Sequence, residues 1–232
     1  TNRITGRRQW SPMGSSANLE GRTLAQVLAG KEKTYPGVLG TGVVKLPGLN
    51  CGRTGLTEAQ AKEAGYDVVT VLAVTDDKAH YYPDAAFFAT KLIADRKTHK
   101  LLGMQVFGPG AVDKMVDIAV MAINMGAVLE DFENADFAYA PPFSTAIHPF
   151  VQAVYILLNK INGDLVSMTP PNTPRELPTA IGLSTWRRRR LSGEPPLWIW
   201  PRSTERSREL VGTRSFCWCA SGANGAIFSR TG

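Results

Sequence analysis

The residue whose type and position most clearly suggest a chemical role is Tyr139, which lies in a stiff turn, AYAPPFS, at residues 138–144. Pro141 and Pro142 fix two φ angles at about −65° and remove two backbone donors. A phenol is both a hydrogen-bond donor and an acceptor. A rigid turn of this kind can present its phenol outside its own core. The alternative is a stiff connector between two helices with a buried aromatic ring, and the spacing by itself allows both.

A second candidate is the start of a helix at residues 17–29, which Gly30 ends. Ser15 or Ser16 can cap this helix, and Glu20 lies where a capping-box carboxylate could reach back. The free amides of a helix N-terminus point outward and attract electron-rich groups. The simpler interpretation is an ordinary capped helix.

The three cysteines, Cys51, Cys217 and Cys219, do not form a disulfide framework. Cys217 and Cys219 are too close in sequence for the usual redox pair, and no His and Cys residues have zinc spacing, so we expect no metal. We interpret Cys51 as a small buried residue. A reducing cytoplasm is the expected location.

The net charge of +6 comes from the last quarter of the chain. Residues 175–232 contain ten Arg and four Glu but no Lys or Asp, so residues 1–174 are balanced. The body of the protein therefore has no electrostatic footprint for nucleic acid, which we do not expect as a partner. No stretch of about 18 uncharged apolar residues is present, so no membrane association is expected.

The order of predicted elements indicates an α+β fold. Strands are predicted at residues 38–44, 66–74, 86–95 and 101–107, and helices at 57–64, 113–124 and 149–161, with a helical turn at 129–132. Residues 96–100 form a polar hairpin between two antiparallel strands. This pattern predicts a mainly antiparallel sheet with helices on one face, followed by an irregular C-terminal tail.

An ordered set of motifs over residues 5–165 resembles one family, the C-terminal dimerisation domain of the FAD-dependent pyridine nucleotide-disulfide oxidoreductases. The branch that it resembles contains coenzyme A-disulfide reductases, NADH oxidases and persulfide reductases. The matching segments are GSSANLEGR (14–22), GVLGT (37–41), TGLTE (54–58), AK (61–62), GY (65–66), YYP (81–83), LGMQ (102–105), Gly108, VDI (116–118) and DFAYAPPFS (136–144).

The resemblance implies a homodimer in which each domain completes the partner's active site. It implies that FAD, NAD(P)H and a disulfide or CoA-type substrate bind to the parent enzyme. The cofactor-binding candidates are Ser16, Ala17 and Asn18, at the helix end that faces the flavin pyrimidine ring in the family, and Phe143. The catalytic candidates are Tyr139 and one of Tyr81 and Tyr82, whose phenols would reach the substrate and the redox cysteine across the dimer. Counting without gaps favours Tyr81.

The same resemblance implies three parts: residues 1–35 as the end of an FAD-binding domain, 36–165 as the dimerisation domain, and 166–232 as a linker and a basic tail rich in Arg and Trp. No Gly-x-Gly-x-x-Gly motif is present in this sequence, so we expect the chain alone not to catalyse a hydride transfer. The alternative function is a non-enzymatic dimerisation or interaction module without flavin. His148 is interpreted as a surface or capping residue.

The tail allows three interpretations. The segment CASGANG (219–225) resembles a rhodanese loop, in which Cys219 would be a sulfur-transfer nucleophile, although Asn224 stands where an Arg is typical. Arg-only basicity and clustered Trp fit a segment translated out of frame from a GC-rich gene. A basic patch that binds RNA or anionic lipid is the third interpretation.

Overall fold

The computed structural model of the protein describes residues 1–167 and, as backbone only, two short strands at residues 215–216 and 227–229. The chain divides into two compact units, Thr1–Ile161 and Asn162–Gly232. The hypotheses about the tail, including the rhodanese-like loop with Cys219, concern positions outside the described residues.

The first unit is built on a five-stranded sheet in which all neighbouring strands are antiparallel. Its strands are β1 (Gly42–Leu46), β2 (Leu49–Gly55), β3 (Val68–Asp76), β4 (Phe87–Asp95) and β5 (Leu101–Gly108), in the order β1-β2-β5-β4-β3. The predicted hairpin of residues 86–107 corresponds to β4 and β5.

Four α-helices accompany the sheet: α1 (Gly14–Leu28), α2 (Glu58–Glu63), α3 (Val112–Met125) and α4 (Pro149–Asn162). The Thr57 hydroxyl accepts the Gln60 N–H at the start of α2, and the Gln60 side chain accepts the Thr57 N–H in return. Gly126 ends α3 in the left-handed conformation, where a side chain would be strained. A 3₁₀ turn, Leu129–Phe132, precedes the stiff turn.

The core lies between the sheet and the pair α3 and α4. The side chains of Leu92 and Met104 from the sheet and of Phe150 and Leu157 from α4 are fully buried there. Their 3.6-residue and 2-residue spacings place apolar groups toward each other, and burying them stabilises the layer. The predicted α+β class, a mainly antiparallel sheet with helices on one face, is confirmed, and the helices that pack on this core are α3 and α4. The short α2 contributes Ala61 to a smaller cluster with Ile93 and Leu102.

The prediction of a strand at 38–44 is wrong in its bounds. Gly40 has a φ of 67°, which interrupts the extended conformation, so β1 begins only at Gly42. Val38 instead forms an isolated parallel bridge with Asn2. The strand β2 was not predicted, because its sequence, LNCGRTG, lacks an alternating apolar pattern.

One detail of the predicted interior also differs. Cys51 lies in β2 opposite Val44 and Phe107 and is half-buried, not fully buried. The glycine after it, Gly52, allows α3 to pack closely, since a Cβ there would lie 2.6 Å from the Val116 side chain.

The described residues of the second unit include three short strands, β6 (Leu165–Ser167), β7 (Ser215–Phe216) and β8 (Ile227–Ser229), paired antiparallel in the order β6-β8-β7. None of the helices in the part of the chain described here has the length and apolar character needed to cross a bilayer.

Candidate functional site

Two loops that are sixty residues apart in sequence meet beside the sheet. The first, called here the hairpin loop, is residues 77–86 and joins β3 to β4. Its ends are fixed because the Asp77 N–H donates to the Ala86 carbonyl and the Ala86 N–H donates to the Asp77 carboxylate, both at 2.8 Å. The second, called here the proline turn, is residues 138–144. The Ala79 N–H donates to the Pro141 carbonyl at 3.4 Å, so the two tyrosine-bearing segments are neighbours.

The proline turn presents its aromatic side chains outward. Tyr139 is 50% exposed and Phe143 is 74% exposed. The N–H groups of Phe143 and Ser144 both donate to the Ala140 carbonyl, at 2.8 and 3.1 Å. The alternative of a connector with a buried Tyr139 is therefore wrong. The turn is fixed in its backbone and open at its phenol.

The hairpin loop exposes its two tyrosines unequally. Tyr81 is 68% exposed and Tyr82 is 39% exposed. The Tyr82 backbone is held by turns, since its N–H donates to Ala79 and its carbonyl accepts from Ala85. The ring of Tyr81 meets only the edge of His80 among the aromatic contacts of the described residues, at 5.5 Å between centroids. Tyr81 is thus the freer of the two phenols.

His148 lies at the base of the proline turn and begins α4. It is buried, so its interpretation as a surface residue is wrong, whereas its capping role is confirmed: its Nδ1 accepts the Phe150 N–H at 3.2 Å. Burial, together with the positive charge of Lys114, lowers the pKa of His148 to about 4. At neutral pH the imidazole is uncharged, which its acceptor role requires.

The N-terminus of α1 carries free backbone donors. The helix begins at Gly14 after the extended Met13, and no side chain among the described residues caps it. The prediction that Ser15 or Ser16 is the cap is wrong, because both lie inside the helix; the Ser16 hydroxyl instead shares a 2.7 Å hydrogen bond with Ser11. The Ala17 N–H donates to the Met13 carbonyl, so the free amides are those of residues 14–16.

The rest of α1 faces solvent with a largely apolar surface. Leu19, Leu24, Val27 and Leu28 are all exposed, and Ser16 is the one buried residue of the helix. The Asn18 amide donates to the Gly14 carbonyl at 2.7 Å. The hydrogen bonds of the described residues link the two tyrosine-bearing segments to each other, and none of them joins α1 to either segment.

Two features of this region were missed from the sequence. Asp77 closes the hairpin loop, and its signal was an acidic residue at the end of a strand, the usual position for a side chain that fixes a turn. The contact between Ala79 and Pro141 had no signal, since it depends on how the sheet and α4 are placed. No group of three or more potential metal ligands occurs within the described residues.

Comparison with known proteins identifies the domain. The family model described as "Pyridine nucleotide-disulphide oxidoreductase, dimerisation domain" matches residues 43–150. Residues 43–150 therefore belong to this family. Both tyrosine-bearing segments, the hairpin loop and the proline turn, lie inside the matched region. The resemblance stated from the motifs is confirmed.

Curated proteins that are similar to this chain are named as oxidoreductases that act on sulfur compounds. The chain is 38% identical over 154 residues to an NAD(P)H sulfur oxidoreductase (CoA-dependent) of Pyrococcus furiosus, a match that covers 66% of this chain and 35% of the relative. It is 27% identical over 139 residues to a coenzyme A disulfide reductase of Staphylococcus epidermidis, covering 60% and 31%. The chain thus spans about a third of the length of the curated relatives that it matches.

The fold of the dimerisation domain agrees with a solved relative. The structure of an NAD-dependent persulfide reductase from A. fulgidus superposes with a TM-score of 0.68 at 36% sequence identity, covering 70% of this chain and 30% of that one.

Proposed function

We propose that this chain is the C-terminal part of a flavin-dependent NAD(P)H oxidoreductase that reduces a disulfide, a CoA disulfide or a persulfide. In this proposal residues 36–165 are the dimerisation domain, and residues 1–35 are the end of an FAD-binding domain. The nucleotide-binding fingerprints would lie outside these 232 residues, and the chain alone would not be catalytic. The enzyme is proposed to be a cytoplasmic homodimer.

The observation that carries the proposal is the meeting of the hairpin loop and the proline turn. The hydrogen bond from Ala79 to Pro141 joins them, and both offer exposed phenols. An exposed tyrosine on a rigid backbone in a dimerisation domain is suited to reach a partner subunit. The names of the relatives, which mention sulfur and CoA disulfide substrates, support the reaction class.

Tyr139 and Tyr81 are proposed to act as hydrogen-bond or proton donors to the sulfur atoms of the reaction. A phenol O–H donates a hydrogen bond to a thiolate or delivers a proton to a leaving sulfur. The proline turn fixes where Tyr139 can reach, because its φ angles and its bonds to Ala140 leave little freedom. Tyr82 remains the second candidate in the hairpin loop.

The N-terminus of α1 fits a flavin. Reduced flavin gathers negative charge, and the uncapped amides of residues 14–16 with the positive end of the helix dipole would stabilise it. Ser16, Ala17 and Asn18, in the first turns of α1, and the exposed ring of Phe143 are proposed as the cofactor contacts of this chain. FAD would supply electron transfer between the nicotinamide and the sulfur centre when it is bound.

The tyrosine roles are tested in the enzyme that contains this chain. We expect Tyr139→Phe combined with Tyr81→Phe to lower kcat/KM for disulfide reduction by about 100-fold or more, the usual contribution of a positioned proton donor. The matched control is Tyr66→Phe, whose hydroxyl makes only a long bond to the Ile4 carbonyl at 3.4 Å. Full turnover in the double variant would refute the assignment.

A flavin spectrum and light scattering test the larger proposal. The 232-residue chain is expected to be a colourless dimer, whereas the protein that contains it is expected to show the visible absorption of oxidised flavin. If the protein that contains this chain carried no flavin, the result would favour the non-enzymatic dimerisation module. A monomer would refute the proposed role of the domain.

A further inference from the structure

The segment that contains the proline turn is attached to α4 on both sides. Before the turn, the Tyr155 hydroxyl donates to the Glu133 carbonyl, and Phe132 packs edge-on against Phe150 at 5.2 Å between centroids. After the turn, the Gln152 amide donates to the Thr145 hydroxyl at 3.0 Å and to the Ile147 carbonyl at 2.8 Å. These contacts attach the chain to α4 on each side of the turn.

The innermost of these attachments is the pair Phe137 and His148. Their rings lie 4.8 Å apart at an angle of 32°, and they come from the two sides of the turn. Phe137 stands two residues before Tyr139, and His148 begins α4 with its Nδ1 accepting the Phe150 N–H. The pair therefore joins the two ends of the segment that carries Tyr139, and the hydrogen bond from Phe150 ties His148 to α4.

We propose that the Phe137–His148 pair is the positioning element of Tyr139, and that protonation of His148 opens it. The neutral ring has one acceptor nitrogen, and the hydrogen bond from Phe150 uses it. Protonation would convert that acceptor into a donor that faces another donor at the positive end of α4. It would also place a positive charge in a buried position.

The surrounding charges favour the neutral ring. Lys114 of α3 is the charged group that acts on His148, and it opposes a second positive charge there. None of the ion pairs or carboxylate hydrogen bonds of the described residues involves His148. Burial and Lys114 together lower the pKa of His148 from 6.5 to about 4. The closed state is fully favoured above about pH 6.5 and loses stability as the pH falls toward 4.

The experiment measures hydrogen exchange of the Phe143 and Ser144 amides in the 232-residue chain, corrected for the intrinsic rate at each pH. With the closed pKa near 4 and the open pKa near 6.5, linkage predicts that protection falls by about 50-fold between pH 7 and pH 4.5. The amide of Leu56, which is bonded to the Leu102 carbonyl in the sheet, should keep its protection and so report that the fold is intact.

Two substitutions separate positioning from a general structural effect. His148→Asn keeps a neutral capping acceptor and should remove the acid-linked loss. His148→Ala should lower the protection of Phe143 and Ser144 at least 10-fold at pH 7 and leave it independent of pH. His99→Asn is the matched control, since His99 lies in the β4–β5 hairpin, and it should show the wild-type loss.

The proposal is overturned if wild-type protection does not change with pH, or if the loss persists in His148→Asn. It is also overturned if His148→Ala keeps wild-type protection at pH 7. The proposal that the pair positions Tyr139 for catalysis rests on the proposed function. The exchange measurement itself does not depend on that function. If exchange behaves as expected and Tyr139→Phe combined with Tyr81→Phe leaves turnover intact, the proposed role of the tyrosines fails while the pH-linked pair stands.

Discussion

Gly103 offers a sharp test of the packing that holds β2 against β5. It is buried in β5, opposite Gly55. A Cβ at this position would lie 2.0 Å from the Leu56 carbonyl oxygen and 2.9 Å from the Leu56 nitrogen. Both are backbone atoms, so no side-chain rotation can relieve the overlap. We expect Gly103→Ala to force residues 55–57 away from the strand.

The cost of this movement follows from the contacts that it breaks. The Leu56 N–H donates to the Leu102 carbonyl at 2.8 Å, and losing that buried bond costs about 1–3 kcal/mol. Overpacking adds about 1–3 kcal/mol. The expected loss of unfolding free energy is therefore about 2–6 kcal/mol. This is a large share of the unfolding free energy of a typical domain, about 5–15 kcal/mol.

Urea unfolding followed by far-ultraviolet circular dichroism measures this loss of unfolding free energy. The matched control is Gly42→Ala in β1, where a Cβ would meet no atom within 4 Å. That substitution should change the free energy of unfolding by less than about 0.5 kcal/mol. The reasoning fails if the two variants unfold at the same urea concentration, or if Gly103→Ala loses less than about 1 kcal/mol.

Two further predictions concern α2. Thr57→Ala removes the cap that accepts the Gln60 N–H and should cost about 1 kcal/mol of unfolding free energy, whereas Thr57→Ser should retain it; equal midpoints in urea would contradict the cap. Hydrogen bonds from Lys62 and Lys91, both at 2.6 Å, lower the pKa of Glu58 from 4.5 to about 2. The folded state should thus lose stability as the pH falls from 4.5 toward 2, and Glu58→Gln should weaken that loss. An unchanged pH profile of stability in this variant would show that the ion pairs contribute nothing.

Much of the fold could be predicted because its signals are local. The 3.6-residue spacing of Met115, Ala119 and Ala122 predicted α3, and the polar residues 96–100 predicted the hairpin of β4 and β5. The strand β2 escaped, because a glycine-rich and polar sequence forms a strand here only through its pairing with β1 and β5. The start of β1 was predicted too early for a different reason, since the positive φ of Gly40 interrupts the extended backbone.

The candidate site was predictable in its residues and not in its arrangement. The Pro141-Pro142 dipeptide indicated a rigid turn next to Tyr139 in sequence. The motif resemblance also singled out Tyr81 and Tyr82. The burial of His148 could not be foreseen, since it depends on Phe137 and on the position of α4. The sequence did not reveal that the start of α1 is uncapped, because Ser15 and Ser16 are typical capping residues.

The sequence by itself determined the element types, the family and the stiffness of the proline turn, because helical period, turn residues and motif order are all short-range properties of the chain. Only the tertiary structure decided that Tyr139 is exposed, that the hairpin loop lies against Pro141, and that His148 is buried and uncharged. The physical reason is that exposure, neighbouring charge and contact across sixty residues are set by the packing of α4 and the β3–β4 hairpin, which local patterns do not specify.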